Sequence, residues 1–301
     1  MSQRVDVEFT SDGVICRAWL YRPDGDTPAP VILMAHGLGG VRTMRLDAFA
    51  QRFVAAGYAC LVFDYRYFGD SDGQPRQLLD IDAQLADWAA ALAFARTCDG
   101  VDTRRIILWG TSFGGGHVLI TAARDQHVSA VISQCPFTDG LASTLALDPI
   151  TSVKVAARAL RDKVRARRGK APLMIATAGA PHERALMTAP DALPGYLAIK
   201  PDDNSVPNQV IARIGLDIPF HFPGKSIPAI TVPVLFAVCN RDTVAPARAT
   251  LRHAARAPRG EIRRYDTGHF DIYVGADFEA VVADQIDFLQ RHVPVREEDR
   301  G

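Results

Sequence analysis

The hydrophobic positions of the chain fall into short, continuous apolar runs separated by longer amphipathic segments. Continuous rather than alternating apolar residues are typical of strands that are buried on both faces of a sheet. We predict six such strands, at residues 31–35, 59–63, 105–109, 128–133, 232–238 and 261–265. Because helix-sized segments separate most of them, the pattern favours an α/β protein with a mostly parallel central sheet and helices on both faces.

A hairpin and three helices complete the predicted core. Residues 5–9 and 14–21 flank a Ser-Asp-Gly turn, which predicts an antiparallel hairpin at the start of the sheet. Apolar residues at helical spacing predict helices at 43–56, 77–97 and 276–291. The helix at 77–97 is the clearest, and its apolar face is expected to pack against the sheet.

A long segment, residues 136–228, interrupts this alternation between the fourth and fifth strands of the set. It is too long for a simple crossover connection and is rich in proline. We therefore divide the chain into a core of residues 1–135 and 229–301 and an inserted segment of residues 136–228.

One helix is predicted within the inserted segment, over residues 153–170. Its apolar positions recur at helical spacing opposite a strongly basic side. These apolar residues are Val153, Ala156, Ala157, Leu160 and Val164. Because their side chains are small, we expect them to pack against the protein with the basic side in water, although a basic amphipathic helix can also bind a membrane surface.

A candidate nucleophile lies directly after the predicted strand at 105–109. The motif Gly-Thr-Ser-Phe-Gly at residues 110–114 precedes a helix-like run, which predicts Ser112 at a sharp strand-to-helix turn. Small residues on both sides of the serine let the backbone make that turn and leave the hydroxyl exposed at the edge of the sheet. This strand-turn-helix context distinguishes the motif from a simple glycine-rich turn.

Two later strands are followed by an acid and a histidine. Asp242 comes shortly after the strand at 232–238, and His269 comes shortly after the strand at 261–265. A serine hydroxyl is a poor nucleophile at neutral pH, so a histidine must take its proton and a carboxylate must orient the imidazole. Ser112, Asp242 and His269 are therefore predicted to form a catalytic triad.

Other residues compete for the roles of acid and base. Asp139 follows an earlier strand and is the alternative to Asp242, whereas Asp266 and Asp271 are expected to cap the loop that carries the histidine. His36 is expected to hydrogen-bond the backbone rather than to abstract protons, and His117 is expected to be a packing residue.

These motifs together resemble the α/β-hydrolase family over most of the chain. The sequence His-Gly-Leu-Gly-Gly at residues 36–40 is similar to the loop that follows the family's third strand. The resemblance implies that the backbone N–H groups of Leu38 and Phe113 form an oxyanion hole. Asp64 and Arg66 match a segment that follows the family's fourth strand, and we expect them to order nearby loops.

The resemblance also implies a role for the inserted segment. In this family a cap is commonly inserted at the position of residues 136–228, and such a cap would cover the active site. Within it, Tyr196, Phe220 and Phe222 are candidates for lining an apolar substrate pocket.

The overall composition indicates which kinds of partner and which cellular compartment to expect. The chain has 34 basic and 34 acidic residues and a formal net charge of zero, so no nucleic-acid partner is expected. Its first residues lack an apolar signal sequence, and no apolar run is long enough to span a bilayer. Five scattered cysteines without metal-ligand spacing are expected to be free thiols, which favours the cytoplasm.

We expect a serine hydrolase that cleaves a carboxylic ester or related acyl bond of a small, apolar or weakly charged substrate. No metal or organic cofactor is predicted, because the protein itself supplies the nucleophile, the proton shuttle and the oxyanion site. Cleavage of an amide, peptide, thioester or carbon–carbon bond by the same triad stays open, as does a homodimer. A non-catalytic receptor on this fold is a weaker alternative, because it would not need a complete triad.

Overall fold

The main sheet of the protein has eight strands. The computed structural model describes residues 3–25, 27–201, 203 and 205–295. In chain order, the strands of this sheet are β1 (Gln3–Ser11), β2 (Val14–Arg22), β3 (Ala29–Ala35), β4 (Ala59–Phe63), β5 (Val101–Thr111), β6 (Ala130–Gln134), β10 (Val234–Cys239) and β11 (Gly260–Tyr265). Their order across the sheet is β1-β2-β4-β3-β5-β6-β10-β11. Strand β2 is antiparallel to β1 and to β4, and every other neighbouring pair is parallel.

The strands that read as continuous apolar runs lie inside this sheet. Every residue of β3, β4, β6 and β10 is buried, as expected for parallel strands that are covered on both faces. The hairpin of β1 and β2 turns at Asp12 and Gly13, whose φ angles are +45° and +78°. Two consecutive positive φ angles match the twist of a two-residue hairpin loop.

Five helices accompany the main sheet. They are α1 (Leu46–Ala55), α2 (Ile81–Ala95), α3 (Phe113–Arg124), α7 (Ala247–Ala254) and α8 (Gly275–His292). Helix α1 contacts α8, and α2 contacts α3. Asp80 precedes α2 and accepts a hydrogen bond of 2.9 Å from the backbone N–H of Ala83, so α2 begins four residues later than position 77. The predicted mostly parallel sheet flanked by helices is confirmed.

Residues 136–228 contain most of the remaining regular structure of the described chain. Its elements are α4 (Gly140–Leu145), α5 (Pro149–Arg167), β7 (Met174–Ala178), β8 (Ala185–Met187), α6 (Ala192–Ile199) and β9 (Gln209–Ile211), followed by short 3₁₀ turns. The three strands form a second, small sheet in the order β8-β7-β9. In chain order this segment lies between β6 and β10, which are neighbours in the main sheet.

The orientation of α5 differs from the sequence prediction. Val153 and Leu160, which were expected to pack against the protein, are 69% and 57% exposed. The buried side of the helix instead includes Asp162, which accepts hydrogen bonds from the backbone N–H groups of Leu173 and Arg213 and from the Arg213 guanidinium. These bonds to a buried carboxylate hold the helix with its apolar stripe in solvent, so the predicted orientation was wrong.

Candidate active site

Ser112 lies at the sharp turn between β5 and α3. Its φ angle is +56°, which is rare for a residue other than glycine. A Cβ atom on Gly110 would overlap the Gly114 carbonyl, and one on Gly114 would overlap the His36 carbonyl. The Ser112 N–H also donates to the Gln134 carbonyl at 2.9 Å. The strained turn is therefore held by close backbone contacts that only glycine neighbours permit.

The hydroxyl of Ser112 is hydrogen-bonded to His269. The distance between Ser112 Oγ and His269 Nε2 is 3.0 Å, and His269 Nδ1 lies 2.7 Å from an Asp242 carboxylate oxygen. The side chains of His269 and Asp242 are only 1% and 2% exposed. An Nδ1–H that donates to Asp242 leaves Nε2 unprotonated and able to accept the serine proton.

Asp242 is itself held by the loop that follows β10. Its second carboxylate oxygen accepts hydrogen bonds from the backbone N–H groups of Val244 and Ala245, at 2.9 and 2.6 Å. The alternative acid, Asp139, has other partners. It accepts from the Ala142 N–H at the start of α4 and forms an ion pair of 2.7 Å with Arg252. Asp242 is thus the acid that this structure brings to the histidine.

The loop after β3 is ordered by His36. Its Nδ1 accepts from the Gly37 N–H at 2.7 Å, so the proton must sit on Nε2, which donates to the Met44 carbonyl at 3.1 Å. Burial lowers the pKa of His36 to about 4, which keeps the ring neutral in this role. His36 therefore bonds the backbone, as predicted, and stabilises the loop that carries Leu38.

A cavity of about 340 Å³ opens beside Ser112. Leu38, Phe113 and Thr243 line it from the main-sheet region, and the inserted segment supplies most of the rest. The apolar lining residues from that segment are Phe137, Ala146, Leu147, Val153, Val155, Ala156, Leu186, Met187, Ala189, Ile218 and Pro219. Because Phe113 is the first residue of α3, its N–H has no partner within the helix and is available to a ligand.

Comparison with known proteins identifies the family. A family model described as "alpha/beta hydrolase fold" matches residues 30–276, which is most of the chain. The chain belongs to the α/β-hydrolase family. The order of Ser112, Asp242 and His269 along this family member is the nucleophile, acid, histidine order of α/β-hydrolases.

Named relatives cover nearly the full length of this α/β-hydrolase. The quorum-quenching protein AidA of Acinetobacter baumannii (strain MDR-ZJ06) is 58% identical over 292 residues, covering 97% of this chain and 96% of AidA. The thiohydrolase aneE of Aspergillus aculeatus is 27% identical and covers 95% of this chain and 92% of its own. The crystal structure of the alpha/beta hydrolase GrgF from Penicillium sp. sh18 matches with a TM-score of 0.84 and 26% identity, covering 97% and 100% of the two chains. The protein is accordingly a hydrolase.

The three aromatic residues predicted to line the pocket lie elsewhere. Phe220 is 79% exposed and borders a separate surface depression with Asp80 and Asp217, because its short 3₁₀ turn points the ring outward. Phe222 contacts the Lys225 ammonium at 4.2 Å, and Tyr196 is buried edge-on against Phe270. The described residues that line the cavity include none of the three, so this part of the prediction was wrong.

A buried hydrogen-bond network behind Ser112 was not anticipated. Thr111, directly before the serine, is hydrogen-bonded to the Tyr273 hydroxyl and accepts from the Gln134 amide at 3.2 Å. Gln134 in turn accepts from Gln285 at 2.7 Å, and Tyr273 stacks on the His36 ring at 5.8 Å. Glutamine and tyrosine within otherwise apolar elements are the only sequence signal for such a network, because their partners are distant in the chain.

Two further predicted polar residues order loops. Asp64 accepts hydrogen bonds from the Arg42 and Asp70 N–H groups, at 2.7 and 3.2 Å. Arg66 pairs with the buried Asp87 at 2.7 Å. These contacts agree with the structural role expected of Asp64 and Arg66.

The remaining candidate histidine and acids take part in local structure. His117 is fully buried, hydrogen-bonded to Gln84 at 2.9 Å, and burial lowers its pKa well below the usual value. Asp271 accepts from the Gly268 N–H at 2.8 Å and so caps the loop, whereas Asp266 pairs with Arg241 on the surface.

The described residues contain no metal-ion cluster, no disulfide and no membrane-spanning helix. The described residues contain no group of three or more His, Cys, Asp or Glu side chains arranged to hold a metal ion. All five cysteines are unpaired, and four of them are buried. Among the described helices, none combines the length and the apolar character that crossing a membrane requires.

Proposed function

We propose that this hydrolase cleaves carboxylic esters or related acyl bonds through an acyl-enzyme formed on Ser112. The observation that carries the proposal is a continuous hydrogen-bonded series from Asp242 through His269 to Ser112. The Ser112 hydroxyl at the end of this series faces the cavity. Nucleophile, base and orienting acid in this arrangement support acyl transfer.

In the first half-reaction, Ser112 Oγ attacks the substrate carbonyl carbon while His269 Nε2 takes the hydroxyl proton. The imidazolium that forms is stabilised by the Asp242 carboxylate at Nδ1. The N–H groups of Leu38 and Phe113 donate to the oxyanion, and each such donor contributes about 3 to 4 kcal/mol to transition-state stabilisation. Collapse of the intermediate expels the leaving group, which receives its proton from His269.

The second half-reaction repeats these steps with water. His269 removes a proton from water as the water oxygen attacks the acyl carbon, and the tetrahedral intermediate then releases the acid. The serine oxygen takes back the proton held by His269, which regenerates the free enzyme.

We further propose that residues 136–228 act as a cap that selects the substrate. This segment supplies most of the cavity lining, and its side chains there are largely apolar. Apolar acyl groups should therefore bind well, since each buried methylene contributes about 0.8 kcal/mol, or about fourfold in kcat/KM. AidA is named a quorum-quenching protein and the triad supports acyl transfer, so quorum-signal molecules with a hydrolysable acyl bond are candidate substrates.

A second candidate is the hydrolysis of acyl thioesters. The relative aneE is named a thiohydrolase, and the same triad can attack a thioester carbonyl. Relative rates on matched oxygen esters, thioesters and amides of one acyl chain separate these reactions. Faster amide cleavage would favour a peptidase, and no turnover with a reactive Ser112 would favour a carbon–carbon bond hydrolase.

The test of the proposal is Ser112→Ala, with Ser152→Ala as a control because Ser152 lines the same cavity. We expect Ser112→Ala to lose several orders of magnitude in kcat on p-nitrophenyl esters and to lose labelling by a fluorophosphonate. Ser152→Ala should retain both within a few-fold. Activity of Ser112→Ala within tenfold of the wild-type enzyme would contradict the proposal.

Compartment and assembly are further parts of the proposal. Buried, unpaired cysteines such as Cys60 and Cys135 support a reducing compartment, for which we propose the cytoplasm. A homodimer stays a prediction, and light scattering over a range of protein concentrations tests it.

A further inference from the structure

Two consecutive helices of the inserted segment expose large apolar side chains. Leu145 at the end of α4 is 74% exposed, and Val153, Ile150 and Leu160 of α5 are 69%, 63% and 57% exposed. We define the α4–α5 apolar surface as Leu141, Leu145, Ile150, Val153, Leu160 and Val164, all of which are exposed. Clusters of exposed large apolar residues mark surfaces that bind a partner or a membrane.

Positive charge surrounds this apolar surface. Residues 149–170 contain eight lysines and arginines but one acidic residue, Asp162, which is buried and paired with Arg213. At 3.6 residues per turn, positions 153, 157, 160 and 164 form one stripe of α5, and the basic positions lie on both sides of it. The exposed basic residues are Lys154, Arg161, Lys163, Arg167, Arg168 and Lys170. Within the described ranges, none of these six forms an ion pair within 4 Å, and Lys163 has a longer-range charge interaction with the Asp217 carboxylate.

The helix is fixed with this stripe outward. The opposite side of α5 is buried through Thr151, Val155 and Ala159, together with the hydrogen-bonded Asp162. The exposed stripe is also continuous with the cavity, because Val153 belongs to both. The apolar surface is therefore a permanent feature of the fold, located beside the cavity.

We propose that the α4–α5 apolar surface docks on anionic lipid bilayers. Its apolar side chains enter the boundary between head groups and acyl chains, and the flanking lysines and arginines pair with lipid phosphates. A second copy of the chain fits this surface less well, because a two-fold interface through α5 places basic residues against basic residues. Bilayer docking needs no membrane-spanning helix. The proposal does not depend on which bond the enzyme cleaves.

The test is co-sedimentation of the full-length protein with phosphatidylcholine vesicles that contain or lack phosphatidylglycerol. We expect binding to the anionic vesicles that weakens with added salt. Arg161→Ser with Arg168→Ser should weaken binding about 25-fold, since each basic residue near an anionic surface contributes about fivefold. Leu145→Ser with Leu160→Ser should weaken it at least tenfold, as roughly expected for two partly inserted leucines.

Control variants remove two arginines and two large apolar residues elsewhere. Arg256→Ser with Arg259→Ser and Ile262→Ser with Val274→Ser change exposed residues on the core, and both should bind vesicles as the wild-type protein does. All four double variants should hydrolyse a soluble short-chain ester normally, which verifies folding. The proposal would be overturned if the protein did not bind anionic vesicles, or if the variants of the α4–α5 apolar surface and the control variants lost equal amounts of vesicle binding. A dimer that the leucine variant dissociates, without vesicle binding, would assign the surface to a second copy instead.

Discussion

The main-sheet region and the inserted segment differ in how many large apolar side chains they expose, since eight of the ten exposed ones among the described residues belong to the inserted segment. Leu119 of α3 is fully buried, whereas Leu160 of α5 is 57% exposed, although both are leucines on helices. Ser112 and His269 are held by buried backbone and side-chain contacts, whereas most of the cavity lining comes from the segment with exposed apolar residues. The residues proposed for chemistry are therefore held by buried hydrogen bonds, while the segment proposed for substrate selection presents apolar side chains to the cavity and to solvent.

The largest expected effect concerns one acid from each region. Asp242→Asn should lower kcat by about a thousandfold or more, because the asparagine no longer orients the imidazole or stabilises its charged form. Asp139→Asn should have a much smaller effect, since Asp139 caps α4 and pairs with Arg252. Steady-state kinetics on one p-nitrophenyl ester measures both, and the opposite ranking would contradict the assignment of the acid.

Next in size is the effect of shortening a leucine in each region. Leu119→Ala should lower the free energy of unfolding by about 2 to 5 kcal/mol, because it leaves a cavity in the packed core. Leu160→Ala should change it by no more than about 0.5 kcal/mol, because the side chain is mostly in solvent. Urea denaturation measures both values, and similar losses in the two variants would remove the contrast between the regions.

A smaller effect is expected from acid titration of histidines in the two regions. Burial lowers the pKa of His36 to about 4, while an imidazole in the unfolded chain has a pKa of about 6.5. The unfolded state therefore binds the proton first, and stability falls as the pH drops from about 6.5 towards 4. In His36→Asn, the loss of unfolding free energy between pH 7 and pH 5 should be smaller than in the wild-type protein by about 2 kcal/mol.

His221 of the inserted segment sharpens this comparison. Burial also lowers its pKa to about 4, but His221 is partly exposed. His221→Asn should therefore reduce the acid sensitivity by less than His36→Asn does, because solvent screens part of the effect. Chemical denaturation at both pH values measures the difference, and a larger effect of His221→Asn would show that the segment is packed as tightly as the core.

The smallest effect separates the observed cavity lining from the predicted one. Leu186→Ala should reduce kcat/KM on long-chain esters by about tenfold, because an apolar contact with the acyl chain is lost. Phe220→Ala should leave kcat/KM within about twofold, since its ring is exposed outside the cavity. An acyl-length series tests both, and a large effect of Phe220→Ala alone would return that residue to the substrate site.

The sequence predicted the main sheet because its signals are local. The buried strands β3, β4 and β10 are continuous apolar runs, and such runs are typical of strands that a parallel sheet buries on both faces. The residue order of Ser112, Asp242 and His269 could likewise be interpreted from the chain, since each follows a recognisable strand. The order of strands across the sheet and the meeting of these three side chains depend on long-range pairing.

What the sequence alone determined is the set of core elements and the residue types that end them, because periodicity and glycine geometry act over a few neighbouring residues. Only the tertiary structure decided which side of α5 faces water. Asp162 is hydrogen-bonded to Leu173 and Arg213, and a carboxylate with such partners can be buried in preference to the apolar stripe.

The cavity lining was decided in the same way, since Leu186 and Ile218 meet Ser112 only after the inserted segment folds against the sheet. Partners that are distant along the chain leave no periodic signal in it, and for that physical reason these features could not be predicted.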